Sequence, residues 1–491
     1  MRGFSSILRQ AISASARRDP QTTLIAATRD DGLGGRLLAM ANAKSLTDTL
    51  GYGFGFTWKA IGDKEFHVVD GVEKIFSADF IEKYWLGEKI KRSDFAILEK
   101  AAFTRSSLDA VAAKGNFRGW ICNEFRILEA FRDEGAETIR RSETLRGFGF
   151  SGNVKQALDA ADKCRFPSPM AALHLRSGDI VRGKYRSSLD FANKVVPSTL
   201  AKSIVSELSS KGLSTLLIGE DRATLEYLRS ETGALLTDDF GAREFEDQTL
   251  KAFFEMGLMA RCQKIYAGSS VFATIASVMG DIPSTKTTTL FDSSRAAEII
   301  LGELEAHQSD YHPLEAAFGY QAAFLDLEDR ISSARAREIL GKAYALDPEN
   351  DVYALKMAAS YFRDNDYRSG EAILKSLMTR EFLVSSDMPL RAMRVLTVRL
   401  WRGHVLAKDF EPFFAAARAG YPHAAACSAH ILHRAFGELK PALQMIAQSL
   451  KTEPTNTLFK KIRRSIRPIT SPKSGLLPKA RSGLWKAGIR I

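Results

Sequence analysis

Residues 170–186 read MAALHLRSGDIVRGKYR. The stretch starts as an apolar run, Met170-Ala171-Ala172-Leu173, interrupted by His174 and resumed by Leu175. It then breaks at Arg176-Ser177-Gly178-Asp179. A short apolar run ending in a turn, fed by Phe166-Pro167-Ser168-Pro169, predicts a buried strand of an α/β sheet. Open α/β sheets bind ligands just outside the carboxyl ends of their strands. Side chains alternate along a strand, so His174 and Arg176 share one face at that end. More cations follow at Arg182, Lys184, Arg186 and Lys194. A guanidinium in such a place suits a phosphate, because it matches two oxygens at once and never loses its proton. A solvated basic loop after a strand would show the same short motif, so neighbouring stretches must discriminate.

Two other stretches share this grammar. Thr22–Thr28 predicts a first strand, running into Arg29-Asp30-Asp31-Gly32-Leu33-Gly34-Gly35-Arg36 and then a helical pattern. Strand, glycine loop and helix bring backbone amides and a helix N-terminus to an anionic or polar ligand. Glycines also serve ordinary tight turns. Further on, Lys264-Ile265-Tyr266-Ala267 leads through Gly268-Ser269-Ser270 into a helix beginning at Val271. Serine there predicts an N-cap. Its hydroxyl and the first-turn amides are also what a phosphate needs. Between the two, Leu213–Ile218 predicts a strand ending in Gly219-Glu220-Asp221, and Phe245–Arg261 a helix carrying Glu255. Arg176, Glu220-Asp221 and Ser269-Ser270 would then line one crevice of a Rossmann-like half.

The 491 residues are 45% hydrophobic and 26% charged, a globular composition sufficient for several domains. The formal net charge is +11, yet ten lysines and arginines and no acid lie from Lys460 to the end. The body is therefore nearly neutral, which argues against a nucleic-acid-binding fold. The basic tail, with Leu476, Leu477 and Trp485 interleaved, would be disordered and suits an anionic membrane surface. No apolar run reaches the roughly eighteen residues of a membrane span. The leader up to Asp19 is Arg- and Ser-rich without a continuous apolar core, unlike a secretory signal. Four scattered cysteines fit a reducing compartment rather than disulfides or zinc. The expected location is cytoplasmic, with peripheral contact at the inner face of a membrane.

Near His307 the β-like runs stop. Ala336–Asn350 and Glu438–Asn456 each place small residues one helix face apart ahead of Pro348 or Pro454. The two prolines lie about three periods apart for a roughly 34-residue helical hairpin. This predicts tetratricopeptide-like repeats, degenerate between Asp387 and Pro422, offering a surface to a protein partner. His423, His430 and His433 can share a helix face, but no acid or cysteine completes a metal set.

Taken together, Gly32-Leu33-Gly34-Gly35-Arg36, His174-Leu175-Arg176-Ser177-Gly178-Asp179 and Gly268-Ser269-Ser270 resemble, in order and spacing, the GT-B fucosyltransferases. This is the α1,2/α1,6/protein O-fucosyltransferase group, with the bacterial Nod-factor enzymes. The resemblance covers about residues 22–300. It implies an α/β fold of two Rossmann-like domains facing a cleft, an inverting mechanism, and GDP-fucose as donor with no cofactor or metal. By the same resemblance Arg176 meets the β-phosphate and His174 lies near the nucleotide. Ser269, Ser270 and Val271 cradle the diphosphate, Glu255 reads guanine, and the Gly32, Gly34, Gly35, Arg36 loop faces the sugar. Three departures stand out: Ser177 replaces a second arginine, Gly35 stands where Asn is common, and Glu255 replaces Asp.

The expected organisation is a leader (1–20), an acceptor-side domain (21–165), a nucleotide-sugar domain (166–306), a helical-repeat domain (307–459) and a basic tail (460–491). The chemistry is consistent with that expectation. A nucleotide-sugar donor leaves as a diphosphate, so charge grows on the β-phosphate. Asp238-Asp239 reads as a turn rather than a metal site, which leaves fixed cations and amides to hold that charge. Asp179 is a candidate general base by proximity, and holding its loop is the competing role. The expected partners are a nucleotide-sugar donor and a glycan, lipid-linked glycan or protein acceptor, with no nucleic acid. Another nucleotide sugar, or an inactive repeat scaffold, are the alternatives.

Overall fold

In the computed structural model the described residues are 23–62, 68–99, 101–115, 117–133, 135–400 and 403–468. The expected leader and the tail from position 469 lie outside them. The chain divides into two compact units. One takes the chain up to Asp179 together with Lys194–Val196 and Ala201–Leu290. The other takes Ile180–Asn193, Pro197–Leu200 and the chain from Phe291 onward.

The first unit holds two parallel sheets. Strands β1 (Leu24–Ala27), β2 (Gly53–Phe56), β3 (Phe95–Ile97) and β4 (Gly119–Ile121) pair in the order β2-β1-β4-β3. Strands β5 (Met170–Leu175), β6 (Ser214–Gly219), β7 (Leu235–Leu236), β8 (Lys264–Ala267) and β9 (Ser284–Thr285) pair as β7-β6-β5-β8-β9. All six residues of β5 are buried, as expected where a parallel strand is covered on both faces. That is why its sequence is an apolar run rather than an alternation. In each sheet the order reverses beside the earliest strand, between β1 and β4 and between β5 and β8. These reversals are topological switch points, where a crevice opens.

The helix Leu33–Leu50 follows β1 and is buried on most of its surface, its polar Arg36, Asn42, Ser45 and Thr47 included. Gly51, left-handed at φ 72°, ends it by donating its N–H to Thr47 O. This helix packs on the helix Val271–Gly280, which follows β8. Ile25, Phe56, Phe76, Phe253, Ile265 and Ile275 belong to one continuous apolar core. Each such side chain contributes roughly 2 kcal/mol when fully buried.

The second unit is helical. Sequential helices pack on one another: Ser293–His307, Pro313–Leu327, Ser333–Leu346, Asp351–Arg363 and Tyr367–Val384, then Phe410–Arg418, Pro422–Arg434, Leu439–Thr452 and Thr457–Ser465. The repeat register is visible in the caps. Asn350 Oδ1 accepts from Val352 N and Asn456 Oδ1 from Phe459 N, each two residues after Pro348 or Pro454. The degenerate middle holds the short helix Arg391–Leu396 and a hairpin of β10 (Arg399–Leu400) and β11 (Gly403–His404).

Two expected boundaries shift. The helical unit begins near Phe291 rather than position 307, because Ser293–His307 buries Ala296, Ala297, Ile300 and Leu304 within it. The tail does not begin at Lys460. The helix Thr457–Ser465 buries Leu458, Phe459 and Ile462 and turns Lys460, Arg463 and Arg464 to solvent. What composition reads as a disordered basic segment begins, over residues 460–465, as part of an amphipathic helix.

The three histidines each have a separate partner: His423 Nδ1 lies 2.8 Å from Glu371 Oε1, His430 Nε2 3.1 Å from Thr397 Oγ1, and His433 Nε2 2.9 Å from Arg467 O. Among the described residues no His, Cys, Asp and Glu side chains group in a way that would hold a metal ion. No helix there is long and apolar enough to cross a membrane. All four cysteines are free thiols, three of them buried.

Candidate functional site

Arg176 leaves the end of β5 and donates from Nη2 to Asp179 Oδ1 at 2.8 Å. Its side chain keeps 25% exposure, while that of Asp179 keeps 11%. The acid thus holds the guanidinium at the strand end. His174, one face-step earlier, is buried and stacks on Phe272 with ring centroids 5.5 Å apart. Burial, and then the Arg176 charge, press its pKa down to about 3, so the ring is a neutral imidazole. Its Nδ1 has no hydrogen-bond partner among the described residues, and neither does the buried Ser177 Oγ.

β8 is the neighbour of β5 across the switch point, with His174 opposite Ala267. Continuing that register by two residues sets Arg176 level with Ser269. Ser269 is exposed and Ser270 is buried. Ser270 N donates to Gly268 O at 2.7 Å, closing a tight turn. The expected side-chain cap is not made: Ser270 occupies the N-cap position of Val271–Gly280 without a capping bond, and its Oγ has no partner among the described residues. The turn needs glycine, since a Cβ on Gly268 would lie 2.4 Å from Lys194 C and O.

The ends of β6 and β7 complete this side. A Cβ on Gly178 would lie 2.0 Å from Glu220 Oε2, so the glycine lets that carboxylate reach the Arg176 turn. Asp221, expected to face a ligand, is instead the N-cap of Arg222–Thr232. Its Oδ1 accepts from Thr224 N at 3.4 Å and its Oδ2 from Thr224 Oγ1 at 2.5 Å. Glu255 accepts from Thr237 Oγ1 at 3.0 Å. Burial pushes its carboxyl up; Lys251 and Thr237 pull it back and Glu220 adds to the rise. The Asp238-Asp239 pair lies in a 3-10 turn, with Asp238 paired to Arg222 and Arg243 and Asp239 to Arg229.

On the first sheet, the ends of β1 and β4 are tied together. Thr28 N donates to Asn123 Oδ1 and Asn123 Nδ2 to Thr28 Oγ1, both at 2.9 Å. Arg29 donates from Nη1 to Asn123 O at 3.0 Å, pairs with Asp31, and lies 4.1 Å above the Phe125 ring. Arg36, expected to face the sugar, does not face a ligand. It is 2% exposed and donates to Asp31 O and Lys59 O at 2.6 Å and to Asp30 O at 3.1 Å. It clamps the glycine loop from inside. Gly35 leaves room for an acid: a Cβ there would lie 2.7 Å from the Asp31 carboxylate. Gly32 is the N-cap residue of Leu33–Leu50. A Cβ on Gly34 would lie 3.1 Å from Phe272 Cα and 3.2 Å from Phe272 N and Val271 O. The glycine loop of one sheet and the serine turn of the other therefore meet.

Of the cations that follow Arg176, two answer acids of the helical unit. Arg182 Nε is 3.8 Å from Glu315 Oε1, and Arg186 Nε is 3.5 Å from Asp347 Oδ2. Lys194 belongs to the first unit instead. Arg29, Asp31 and Asn123 were not singled out by sequence reading; the signal available was a charged pair directly between a strand and a glycine loop.

No protein-family model matches this chain, and no curated protein matches it. Solved structures are similar to it at low identity. The fucosyltransferase NodZ from Bradyrhizobium is 14% identical over 55% of this chain and 96% of its own, at a TM-score of 0.34. FUT1 from Arabidopsis thaliana, in complex with GDP, is 11% identical over 58% and 74%, at 0.36. POFUT1, in complex with GDP, is 11% identical over 55% and 98%, at 0.31.

Proposed function

We propose that this chain is an inverting, metal-independent glycosyltransferase that takes a nucleotide diphosphate sugar, GDP-fucose foremost, as donor. One observation carries the reading. Three buried polar groups without partners among the described residues, His174 Nδ1, Ser177 Oγ and Ser270 Oγ, belong with Arg176 to the carboxyl ends of the paired strands β5 and β8 and the turns that follow them. Buried polar atoms left unpaired are costly, so a cluster of them at a crevice is a place waiting for a ligand. The ligand they suit is anionic: a guanidinium, two hydroxyls and the first-turn amides of Val271–Gly280 are all donors.

In the transfer, an acceptor hydroxyl attacks the anomeric carbon as the bond to the β-phosphate oxygen breaks. The electron pair leaves with the diphosphate and the acceptor proton goes to a base. Arg176, kept in place by Asp179, and Ser270 would take the growing charge without reorganising. His174, being neutral, is an additional hydrogen-bond group rather than a second cation. Glu255, within electrostatic reach of Glu220, would accept from the N–H groups of a base such as guanine. The acceptor would enter from the side of the glycine loop, and would be a glycan, a lipid-linked glycan or a protein.

Calorimetry with GDP, UDP and dTDP, followed by donor hydrolysis with the matching sugars, tests this. GDP binding with hydrolysis of GDP-fucose is expected. Binding without turnover of any donor would instead favour an inactive scaffold, and no binding of any nucleotide would remove the reading.

A further inference from the structure

We infer that Lys194 is a second cation on the diphosphate, beside Arg176 at the serine turn. The inference rests on the nucleotide-sugar reading above. A departing nucleotide diphosphate carries two or more negative charges. Arg176 is already balanced by Asp179 at 2.8 Å, and serine hydroxyls and helix amides supply dipoles rather than full charge. Another positive group is needed for charge balance, and position 177, next to Arg176, is a buried serine.

The fold delivers Lys194 to that place. Its carbonyl carbon and oxygen pack against Gly268, the residue before Ser269-Ser270, so closely that no other side chain fits at 268. The 3-10 turn Leu189–Lys194 leads in, and Val195 and Val196, 7% and 2% exposed, pin the chain immediately after it. The ammonium is within electrostatic reach of Arg176 and Asp179 from the β5 end and of Arg29 and Asp31 from the β1 end. Lys194 thus senses charges from both strand ends. Burial first, and then Arg176, hold its ammonium below the ordinary lysine value, and Asp179 and Asp31 oppose that. A bound anion would reverse the deficit.

The test compares GDP with GMP, which lacks the β-phosphate, by calorimetry on the full chain. Lys194→Met is expected to weaken GDP binding by about 10–100-fold while GMP changes by less than about threefold. Lys194→Arg is expected to restore GDP binding to within about threefold. If Lys194→Met binds GDP like the wild type while Arg176→Ala does not, the inference falls and the transferase reading stands. If GMP and GDP weaken together in Lys194→Met, the role is structural and the inference also falls. If the wild type binds no GDP, both fall.

Discussion

Gly34 lies against Phe272: a Cβ at position 34 would stand 3.1 Å from Phe272 Cα and 3.2 Å from its amide nitrogen. The helix start after β1 and the helix start after β8 therefore touch backbone to backbone. This contact sets the glycine loop beside the serine turn, and Arg29 and Asp31 lie within electrostatic reach of Lys194. Substituting Gly34→Val would force the two helix starts apart. The expected cost is about 1–3 kcal/mol of stability by urea unfolding, as for overpacked cores. GDP affinity should fall with it; an unchanged affinity would mean the two turns do not act together.

Arg176 and Arg36 are separated by what they touch. Arg176 keeps a quarter of its side chain exposed at the strand end. Arg176→Ala is expected to leave the unfolding midpoint near that of the wild type and to cut turnover by at least about a hundredfold. Arg36→Ala removes a buried donor set from three carbonyls. It is expected to cost roughly 3 kcal/mol of stability. Parallel urea unfolding and turnover assays on both variants would show the two effects exchanged if the roles are assigned wrongly.

His174 and His430 are both held at a pKa of about 3, each chiefly by burial. A histidine neutral in the fold and free to protonate in the unfolded chain makes the unfolded state bind more protons below pH 6.5. Stability therefore rises with pH across the window from about 3 to 6.5 and is fully present above it. At pH 5 the loss is roughly 2 kcal/mol for each ring. His430→Asn should flatten the difference between unfolding curves at pH 7 and pH 5. An equally steep difference in that variant would contradict a buried neutral imidazole.

Phe459 is fully buried at the end of the helical-repeat domain, immediately before the expected basic tail. Phe459→Ala is expected to destabilise the helical unit by about 3–5 kcal/mol. A loss below about 0.5 kcal/mol, typical of an exposed site, would show that the helix Thr457–Ser465 is not docked.

Strand and helix identity were legible because β5 and β8 are buried on both faces and read as apolar runs. The switch point followed from Arg176 and Ser269-Ser270 standing at the ends of adjacent strands. Commitments of individual side chains were not legible. Arg36 looks like a ligand-facing arginine from the loop motif, yet in the fold it points inward to the Asp30, Asp31 and Lys59 carbonyls. Asp221 looks like a strand-end acid, and only the helix that begins after it makes it a cap. Lys194 reads as the last of four cations, and only the packing of its backbone against Gly268 shows that it stands beside the serine turn. The basic tail misled because charge content says nothing about which face of a helix carries it, and Leu458, Phe459 and Ile462 share the other.

A crystal structure of the chain grown with GDP measures the central claim most directly. The account predicts β-phosphate oxygens within about 3.2 Å of both the Arg176 guanidinium and Ser270 Oγ, with the first-turn amides of Val271–Gly280 facing the same group. A nucleotide seated elsewhere, or a diphosphate turned to solvent with Arg176 bonded to Asp179 alone, would contradict it.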